Sequence, residues 1–336
     1  MTKPFPTQEI GSLKKPEWLL ELVRNKQISD EDKGKARNDA AYLNIKTLED
    51  IGLDIIYDGE VRRVEMYEYP IRYIDGFEFA GLVRSWDNKY YKKARCVSRV
   101  VYKTDFHLDE FKFVKGNSNR IIKVPITGPY TLADWSYNEY YNSKEEFVID
   151  LARNVVRPLI MDLVKHGTQV IQIDEPAATT HPSEMKIFAE AINECSKDVD
   201  AKITVHACYS GNDYQALVPY ATEIKASQFA LEFANRDSWK LGTTDDVRNG
   251  YSVLTSLKEH GFNGEIGLGV VDVHVDEMEP PELVRDRLLY AAKILGDPSK
   301  IYANPDCGLR TRTRSVAFEK LRRVVQGAEL ARQALK

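Results

Sequence analysis

Four side chains of types that commonly bind a metal ion occur in three separate stretches of the sequence. They are His206 and Cys208 in TVHACYSG, Glu232 in ALEFANRD and Cys307 in NPDCGLRTR. One imidazole, two thiols and one carboxylate are donor types that zinc selects. If the fold brings them together, they would form a catalytic metal site that binds and activates a thiol, because a thiol coordinated to a metal ion loses its proton.

The spacing of these residues predicts how they would meet. His206 and Cys208 are two positions apart, so their side chains point to the same face of an extended strand. Glu232 ends the next predicted strand and should be its neighbour, whereas Cys307 should approach from the last strand, across the sheet. A lone buried cysteine usually packs as a small apolar residue. The combination of His-x-Cys, a glutamate and a second cysteine at three strand ends instead favours a metal site.

Short strand-like stretches alternate with longer helical ones, and their order predicts the architecture. Helical periodicity marks residues 144–167, and the final stretch, 311–335, is typical of one amphipathic helix or two. Several strands are almost continuously apolar, as parallel strands covered on both faces are. Eight strands followed by helices favour an α/β fold of the (β/α)8 TIM barrel type over a doubly wound open sheet. The predicted strands cover residues 7–12, 53–59, 122–128, 168–174, 202–208, 227–233, 265–271 and 301–306.

One interval is too long for a single connecting helix. Residues 61–120, between the second and third predicted strands, are expected to be an insertion on the upper rim of the barrel. Within them, residues 81–104 alternate around a turn at 86–89, which predicts a β-hairpin rich in tyrosine and lysine. No flexible linker interrupts the sequence, so residues 1–336 are expected to form a single catalytic domain.

The overall composition restricts the class of protein. The 336 residues carry a net charge of -4, which gives no bulk reason to bind nucleic acid or an anionic membrane. The N-terminal residues lack the apolar core of a signal peptide, and no stretch approaches the roughly 18 apolar residues of a membrane span. Four cysteines argue against a disulfide scaffold and fit a cytoplasmic location; Cys96 and Cys195 should be ordinary packing or surface thiols.

Polar side chains are concentrated where the predicted strands end. In a barrel of this kind the carboxyl ends of the strands surround the active site. Any single acidic residue there could merely cap the following helix, but so many together indicate a functional site. These side chains belong to Ser12, Asp58, Glu60, Asp174, Glu175, His206, Cys208, Glu232, Asp272, His274, Asp306 and Cys307.

Seven motifs spread over the chain resemble one enzyme family. The motifs IGSLKKP, DIIYDGE, PITGPYTLADWS, IQIDEPA, VHACYS, LGVVDVHV and NPDCGLRTR are similar to the catalytic half of cobalamin-independent methionine synthase. They occur in the family's order from Ile10 to Arg312. Long members of that family carry two barrels, so this chain resembles the short single-barrel "core" members common in archaea.

The resemblance implies a zinc cofactor and a homocysteine site. His206, Cys208, Glu232 and Cys307 match the family's zinc ligands. Ile10 and Ser12 match residues whose backbone and hydroxyl groups hold the carboxylate and amino group of homocysteine. Glu60 and Asp174 match the acidic residues that bind its ammonium group.

The resemblance also implies residues for the methyl donor. His274 matches the family's proposed proton donor, with Asp272 as a plausible orienting partner. Trp135 matches an aromatic residue beside the flat ring of the donor, although a tryptophan there could equally be a helix-packing residue.

The implied reaction is methyl transfer to the thiol of L-homocysteine, which forms methionine. A methyl-corrinoid, a methyl-tetrahydropterin or a methyl-folate could be the donor, and a methyl-corrinoid protein could deliver it. Whether the hairpin at roughly 80–105 docks the donor or is a solvated surface element stays open. A related alternative is a corrinoid-dependent methyltransferase acting on another thiol such as coenzyme M, but Glu60 and Asp174 would have no purpose for a sulfonate. A non-enzymatic thiol-binding or zinc-binding protein is a further alternative.

Overall fold

The computed structural model describes residues 3–84, 90–103, 106–208 and 214–336. The strands are β1 (Ile55–Ile56), β2 (Ile74–Arg84), β3 (Tyr90–Tyr102), β4 (Ile121–Thr127), β5 (Tyr137–Asn138), β6 (Val170–Asp174), β7 (Lys202–Ala207), β8 (Gln228–Leu231), β9 (Glu265–Val271) and β10 (Ile301–Pro305). The α-helices are α1 (Glu17–Arg24), α2 (Asp30–Ile51), α3 (Glu68–Ile71), α4 (Leu108–Asn117), α5 (Pro129–Asp134), α6 (Lys144–Leu151), α7 (Arg157–Lys165), α8 (Met185–Cys195), α9 (Val253–Glu259), α10 (Pro281–Leu295) and α11 (Arg314–Ala334).

Seven strands form one parallel sheet, and an N-terminal segment joins its two edges. The strand order is β1-β4-β6-β7-β8-β9-β10. Gln8 N donates to the carbonyl oxygen of Ala303 in β10 at 3.0 Å, and the N–H of Ile55 in β1 donates to Thr7 O at 3.0 Å. The expected (β/α)8 barrel is therefore confirmed. Its first strand, predicted over 7–12, is present only as the isolated bridges of Thr7 and Gln8.

The strands are buried on both faces, which explains their continuous apolar sequences. Every residue of β6 and of β10 is buried. Polar side chains also cross the barrel interior, where Gln8 Nε2 donates to Gln228 and to Asn304, each at 3.0 Å. Lys123 Nζ donates to Gln8 Oε1 at 3.2 Å and to the carbonyl oxygen of Glu9 at 2.8 Å. These bonds satisfy polar groups that would otherwise be costly to bury, and they tie the N-terminal segment to β4, β8 and β10.

The helices of the outer layer follow local signals in the sequence. Ser29 caps α2 by accepting a hydrogen bond from Asp32 N, and Gly52 ends it with a φ of 94°. The predicted helix over 144–167 is confirmed as α6 and α7, joined by a π-helical turn. The final stretch is one helix, α11. No helix in the described part of the chain combines the length and apolarity needed to cross a membrane.

The predicted hairpin is present between β1 and β4, but it begins earlier than the alternating pattern suggested. β2 and β3 pair antiparallel, and β5 adds a short parallel strand beside β3. The turn predicted at 86–89 lies outside the described residues. Helix α4, which also falls within 61–120, packs against α2 and α7 in the outer layer. Cys96 and Cys195 are both buried, so they are packing thiols and not surface thiols.

Candidate active site

One imidazole and two thiols meet at the mouth of the barrel. The donor atoms of His206, Cys208 and Cys307 lie within 4.8 Å of one another. His206 Nε2 is 3.5 Å from Cys307 Sγ, and Nδ1 is 2.9 Å from the carbonyl oxygen of Ala230. Because a carbonyl only accepts, it fixes Nδ1 as a donor and turns Nε2 towards the sulfur atoms. The structure therefore brings together, from the ends of β7 and β10, three of the four side chains that the sequence predicted to converge.

The pKa shifts within this hydrogen-bonded group leave one of the two thiols ionised. A hydrogen bond from Cys208 lowers the pKa of Cys307 well below its usual value, and the same bond raises the pKa of Cys208. Burial alone would lower the pKa of His206, but its hydrogen bond to Cys307 and the charge there outweigh burial and raise this pKa to about 9. The group therefore holds a thiolate that a bound cation would stabilise.

Glu232 lies beside this group without belonging to it. It follows β8, is 1% exposed, and among the described residues its carboxylate is not one of the clustered donors. Oε2 accepts a hydrogen bond from Asn235 Nδ2 at 3.0 Å, and the buried Oε1 has no partner in the described part of the chain. Burial raises the pKa of Glu232 to about 8, with a further contribution from Cys307. A buried carboxylate oxygen without a partner, next to two sulfur atoms and an imidazole, fits the donor set of zinc.

Tyr214, which the sequence did not single out, and Asp306, which it marked only as one of the strand-end side chains, hold the backbone around these donors. The Tyr214 hydroxyl donates to Ala207 O and accepts from Glu232 N, each at 2.8 Å, so it joins the ends of β7 and β8. Asp306, fully buried beside Cys307, accepts the N–H groups of Phe233 and Ala234 at 2.9 Å and of Asn235 at 2.8 Å. The only sequence signal was the position of Asp306 at a strand end.

The side chains expected to bind substrate surround a cavity of about 540 Å³ at the same mouth. Of the residues assigned a role in the site, all line it except Asp272 and Glu232, and the other strand-end residues Asp58, Glu175 and Asp306 do not line it. Gln172, which was not anticipated, donates from Nε2 to Ile10 O at 2.6 Å and to Asp174 Oδ1 at 2.7 Å. Burial raises the pKa of Asp174 to about 7. A cationic group in the cavity would favour the ionised form of this carboxylate.

Glu60 reaches the cavity through an unusual backbone conformation. Its φ is 54°, in the left-handed region, and its N–H donates to Asp58 Oδ1 at 2.9 Å. A Cβ on Gly11 would lie 2.7 Å from Glu60 Oε1, so the carboxylate packs directly against a bare backbone. Arg63 Nη1 donates to Glu60 Oε2 at 3.2 Å. Strain of this kind persists where surrounding contacts over-determine the position, and here those contacts aim a carboxylate into the cavity.

Arg63 connects Glu60 to a buried cluster behind the cavity. Its Nε donates to Glu110 Oε2 at 3.0 Å, and His107 Nδ1 is 3.3 Å from the same oxygen. Burial, together with the charge of Arg63, lowers the pKa of His107 to about 4. The neutral imidazole and the ionised carboxylate hold Arg63 in place from behind. The sequence offered two adjacent arginines here and no way to choose between them.

Asp272 and His274, of which His274 lines the cavity, form a hydrogen-bonded pair. Asp272 Oδ1 accepts from His274 N at 2.8 Å and is 2.9 Å from His274 Nδ1. This bond to Asp272 raises the pKa of His274. The buried Glu279 accepts from Asp272 N at 2.7 Å and from Lys320 Nζ at 2.9 Å, which fixes the loop after β9. The orienting role expected for Asp272 stays a prediction that this geometry supports.

Aromatic side chains form the outer wall of the cavity. Trp135 follows α5, and its ring centroid lies 6.2 Å from that of Tyr67 and 6.3 Å from that of Tyr91. Tyr91 belongs to the hairpin, which thereby contributes to the cavity wall. Glu175 accepts from Tyr130 N at 3.0 Å and from Thr131 N at 2.7 Å, and so holds the start of α5. Trp135 both packs in this cluster and faces the cavity.

The chain matches one family over nearly its whole length. A profile of the family described as "Cobalamin-independent synthase, Catalytic domain" matches residues 5–330. A curated "Methionine synthase" from Thermococcus kodakarensis is 43% identical over 335 residues, which cover 98% of this chain and 94% of the relative. A "Methionine synthase" from Thermoplasma acidophilum is 42% identical over 337 residues, covering 95% of this chain and 96% of the relative.

Two solved structures share the fold. The B12-independent methionine synthase of a Shewanella species, in complex with selenomethionine, superposes with a TM-score of 0.85 at 24% identity and covers 99% of both chains. A putative vitamin-B12 independent methionine synthase from Listeria monocytogenes has a TM-score of 0.77 at 21% identity, with 98% of both chains covered. These likenesses support the barrel architecture.

Proposed function

The chain belongs to the family of cobalamin-independent methionine synthases, which are methyltransferases, and from this premise we propose that it transfers a methyl group to the thiol of L-homocysteine with the help of zinc. One observation carries the proposal. The cluster of His206, Cys208 and Cys307 faces the same cavity as Glu60 and Asp174. A thiol-activating centre and an ammonium-binding pair thus share one space, as a thiol amino acid requires. We also propose that residues 1–336 act as one catalytic domain.

Zinc is the proposed metal because of the donor set. His206, Cys208 and Cys307 would hold it, with Glu232 as the fourth ligand, and the unpartnered Oε1 of Glu232 is available for that role. Bound zinc supplies a Lewis acid that keeps a substrate thiol deprotonated at neutral pH, where a free thiol with a pKa near 8.5 is mostly protonated. The Ala230 carbonyl holds the imidazole in the orientation that this chemistry needs.

The acidic pair provides the specificity for an amino acid. Glu60 and Asp174 would bind the ammonium group of homocysteine, and charge-assisted hydrogen bonds of this kind are about twice as strong as neutral ones. Ser12 and Ile10 also line the cavity, and the Ser12 hydroxyl and the backbone at Ile10 would bind the carboxylate. A thiol with a sulfonate in place of the amino acid would leave both carboxylates unpaired, which is why coenzyme M is a poor fit.

The donor would enter past the aromatic wall. Trp135 and Tyr91 offer faces for a flat ring, and His274, held by Asp272, is the group that can give a proton to a leaving nitrogen. A folate or pterin donor needs that proton, whereas a corrinoid donor does not. We propose a small donor or a methyl-corrinoid protein reaching the cavity along the hairpin side.

A panel of methyl donors tests the proposal. Zinc-loaded protein is incubated with homocysteine and, separately, methylcobalamin, methyl-tetrahydrofolate and a methyl-tetrahydropterin, and methionine is measured. Methionine formation with at least one donor, lost after chelation and regained with zinc, is the expected result. Coenzyme M replaces homocysteine in a parallel series, and preferential methylation of coenzyme M would overturn the assignment of the substrate.

The His274→Gln variant distinguishes donors that need a proton on the leaving group from donors that do not. If the donor leaves as an amine, His274→Gln slows transfer from folate or pterin by about 100-fold or more, within the usual contribution of a general acid. Transfer from methylcobalamin should change little in the same variant. Equal losses with both donor types would contradict a proton-donating role for His274.

A further inference from the structure

Glu232 is held firmly through its backbone and only weakly through its side chain. The Tyr214 hydroxyl accepts its N–H at 2.8 Å, and Asp306 fixes the next residues through their N–H groups. The carboxylate accepts a hydrogen bond from Asn235 Nδ2 at 3.0 Å, and Arg236 Nη2 lies 4.0 Å from Oε2. Within the described residues the carboxylate thus has fewer close contacts than the backbone.

Asn235 is itself fixed in position. Its N–H donates to Asp306 Oδ2 at 2.8 Å, and within the described residues its side-chain Oδ1 has no partner. Among the described residues, the side-chain amide of Asn235 donates to the carboxylate of Glu232. Because Asp306 also adjoins Cys307 in the chain, a single buried carboxylate sets the position of Asn235 relative to the thiols.

We propose that Asn235 is a positioning residue that receives the Glu232 carboxylate when the sulfur of the substrate takes its place beside His206, Cys208 and Cys307. The inference rests on the proposed zinc and homocysteine chemistry. In the structure the Asn235 amide donates to Glu232 Oε2 at 3.0 Å, so it lies within reach of the carboxylate.

The physical reason is the cost of a buried charge. Glu232 is 1% exposed, so a carboxylate that leaves a cation cannot turn to water. A buried carboxylate left without a donor is strongly disfavoured. The Asn235 amide supplies that donor without adding a positive charge, which would compete with the metal for the carboxylate. The Asn235 amide would keep Glu232 Oε2 paired whenever the carboxylate does not bind the metal.

The Asn235→Ala variant tests this role by separating metal binding from substrate binding. Zinc affinity is measured by competition with a chromophoric chelator, and homocysteine affinity is measured from the visible spectrum of cobalt-substituted protein. We expect zinc affinity to stay within about threefold of the wild type, and homocysteine affinity to fall by on the order of 10- to 100-fold, the range for a hydrogen bond to a charged group. If Asn235 instead holds Glu232 as a ligand, zinc affinity falls and homocysteine affinity is kept, and the proposal is wrong.

A double-mutant cycle with Glu232→Ala provides the control. Once the carboxylate is absent, Asn235→Ala should no longer change homocysteine affinity, because the two residues act as a pair. An undiminished effect of Asn235→Ala in that background would overturn the proposal. Asn235→Ser, which retains a short donor, should recover part of the affinity, and circular dichroism checks that each variant is folded.

The wild-type protein separates this inference from the function on which it rests. Wild type that binds neither zinc nor homocysteine would overturn both. Wild type that binds both, together with an Asn235→Ala variant of unchanged affinities, would overturn the inference alone.

Discussion

Gly269 of β9 occupies a position where a single methyl group should disturb the candidate metal site. A Cβ at this position would lie 2.0 Å from Asp306 Oδ1 and 2.8 Å from the carbonyl oxygen of Leu231. The second contact is with backbone, which cannot rotate away. The absence of a side chain therefore lets Asp306 reach across β9 to the segment that follows β8.

The magnitude of a Gly269→Ala substitution follows from the bonds at that oxygen. Asp306 Oδ1 accepts the N–H groups of Phe233 and Ala234, each at 2.9 Å. Hydrogen bonds to charged groups contribute roughly 1.5–3 kcal/mol each, so losing both would cost about 3–6 kcal/mol. Since whole proteins are stable by only about 5–15 kcal/mol, the variant should unfold at a much lower urea concentration and bind zinc more weakly.

Gly34→Ala is the matched control. Gly34 lies inside α2, and a Cβ there would meet nothing within 4 Å. Alanine in a helix interior is favoured over glycine by about 1 kcal/mol, so this variant should unfold at the same or a higher urea concentration. Zinc content and urea midpoints are measured for both variants. A Gly269→Ala protein with a wild-type midpoint and full zinc content would refute the positioning role assigned to Asp306.

Three further outcomes are expected. The pKa of His107 in the folded protein is about 4, below its unfolded value of 6.5, so the unfolded state takes up a proton first as the pH falls. The free energy of unfolding of the wild type should therefore drop by about 2 kcal/mol relative to that of His107→Gln between pH 7 and 5. A difference in denaturation midpoints that does not change with pH would contradict this. Glu60→Gln should lower kcat/KM for homocysteine by roughly 10- to 100-fold with zinc content unchanged, and an equal loss with a thiol lacking the amino group would argue against ammonium binding. Trp135→Leu should raise the KM for a folate or pterin donor far more than Trp135→Phe does, and equal values would assign Trp135 to packing alone.

Local regularities in the sequence predicted much of the site. His206 and Cys208 share a face because side chains alternate along a strand, and the carboxyl ends of parallel strands meet at one rim. The same rule could have identified Gln172, two residues before Asp174 on β6, as a partner on the same face. The barrel, its hairpin and its long C-terminal helix were predictable for similar reasons. The first strand was not, because its mixed sequence forms only two isolated bridges.

Contacts between distant parts of the chain could not be predicted in this way. Asp306 binds backbone N–H groups more than seventy positions away, across a strand whose glycine leaves the space. The Tyr214 hydroxyl forms hydrogen bonds with backbone groups of Ala207 and Glu232. Every residue type has such groups, so the sequence gives no sign of these partners. The left-handed backbone of Glu60 carries no signal in its own residue type, since glutamate rarely adopts it.

The production of methionine tests the central claim most directly. Zinc-loaded protein is supplied with homocysteine and an isotopically labelled methyl group on each donor in turn, and labelled methionine is quantified by mass spectrometry. We expect labelled methionine from at least one donor, none after chelation, recovery on adding zinc, and none from Cys307→Ser. Labelled methionine formed at the same rate by chelated protein or by Cys307→Ser, or none from zinc-loaded wild type with any donor, would contradict it.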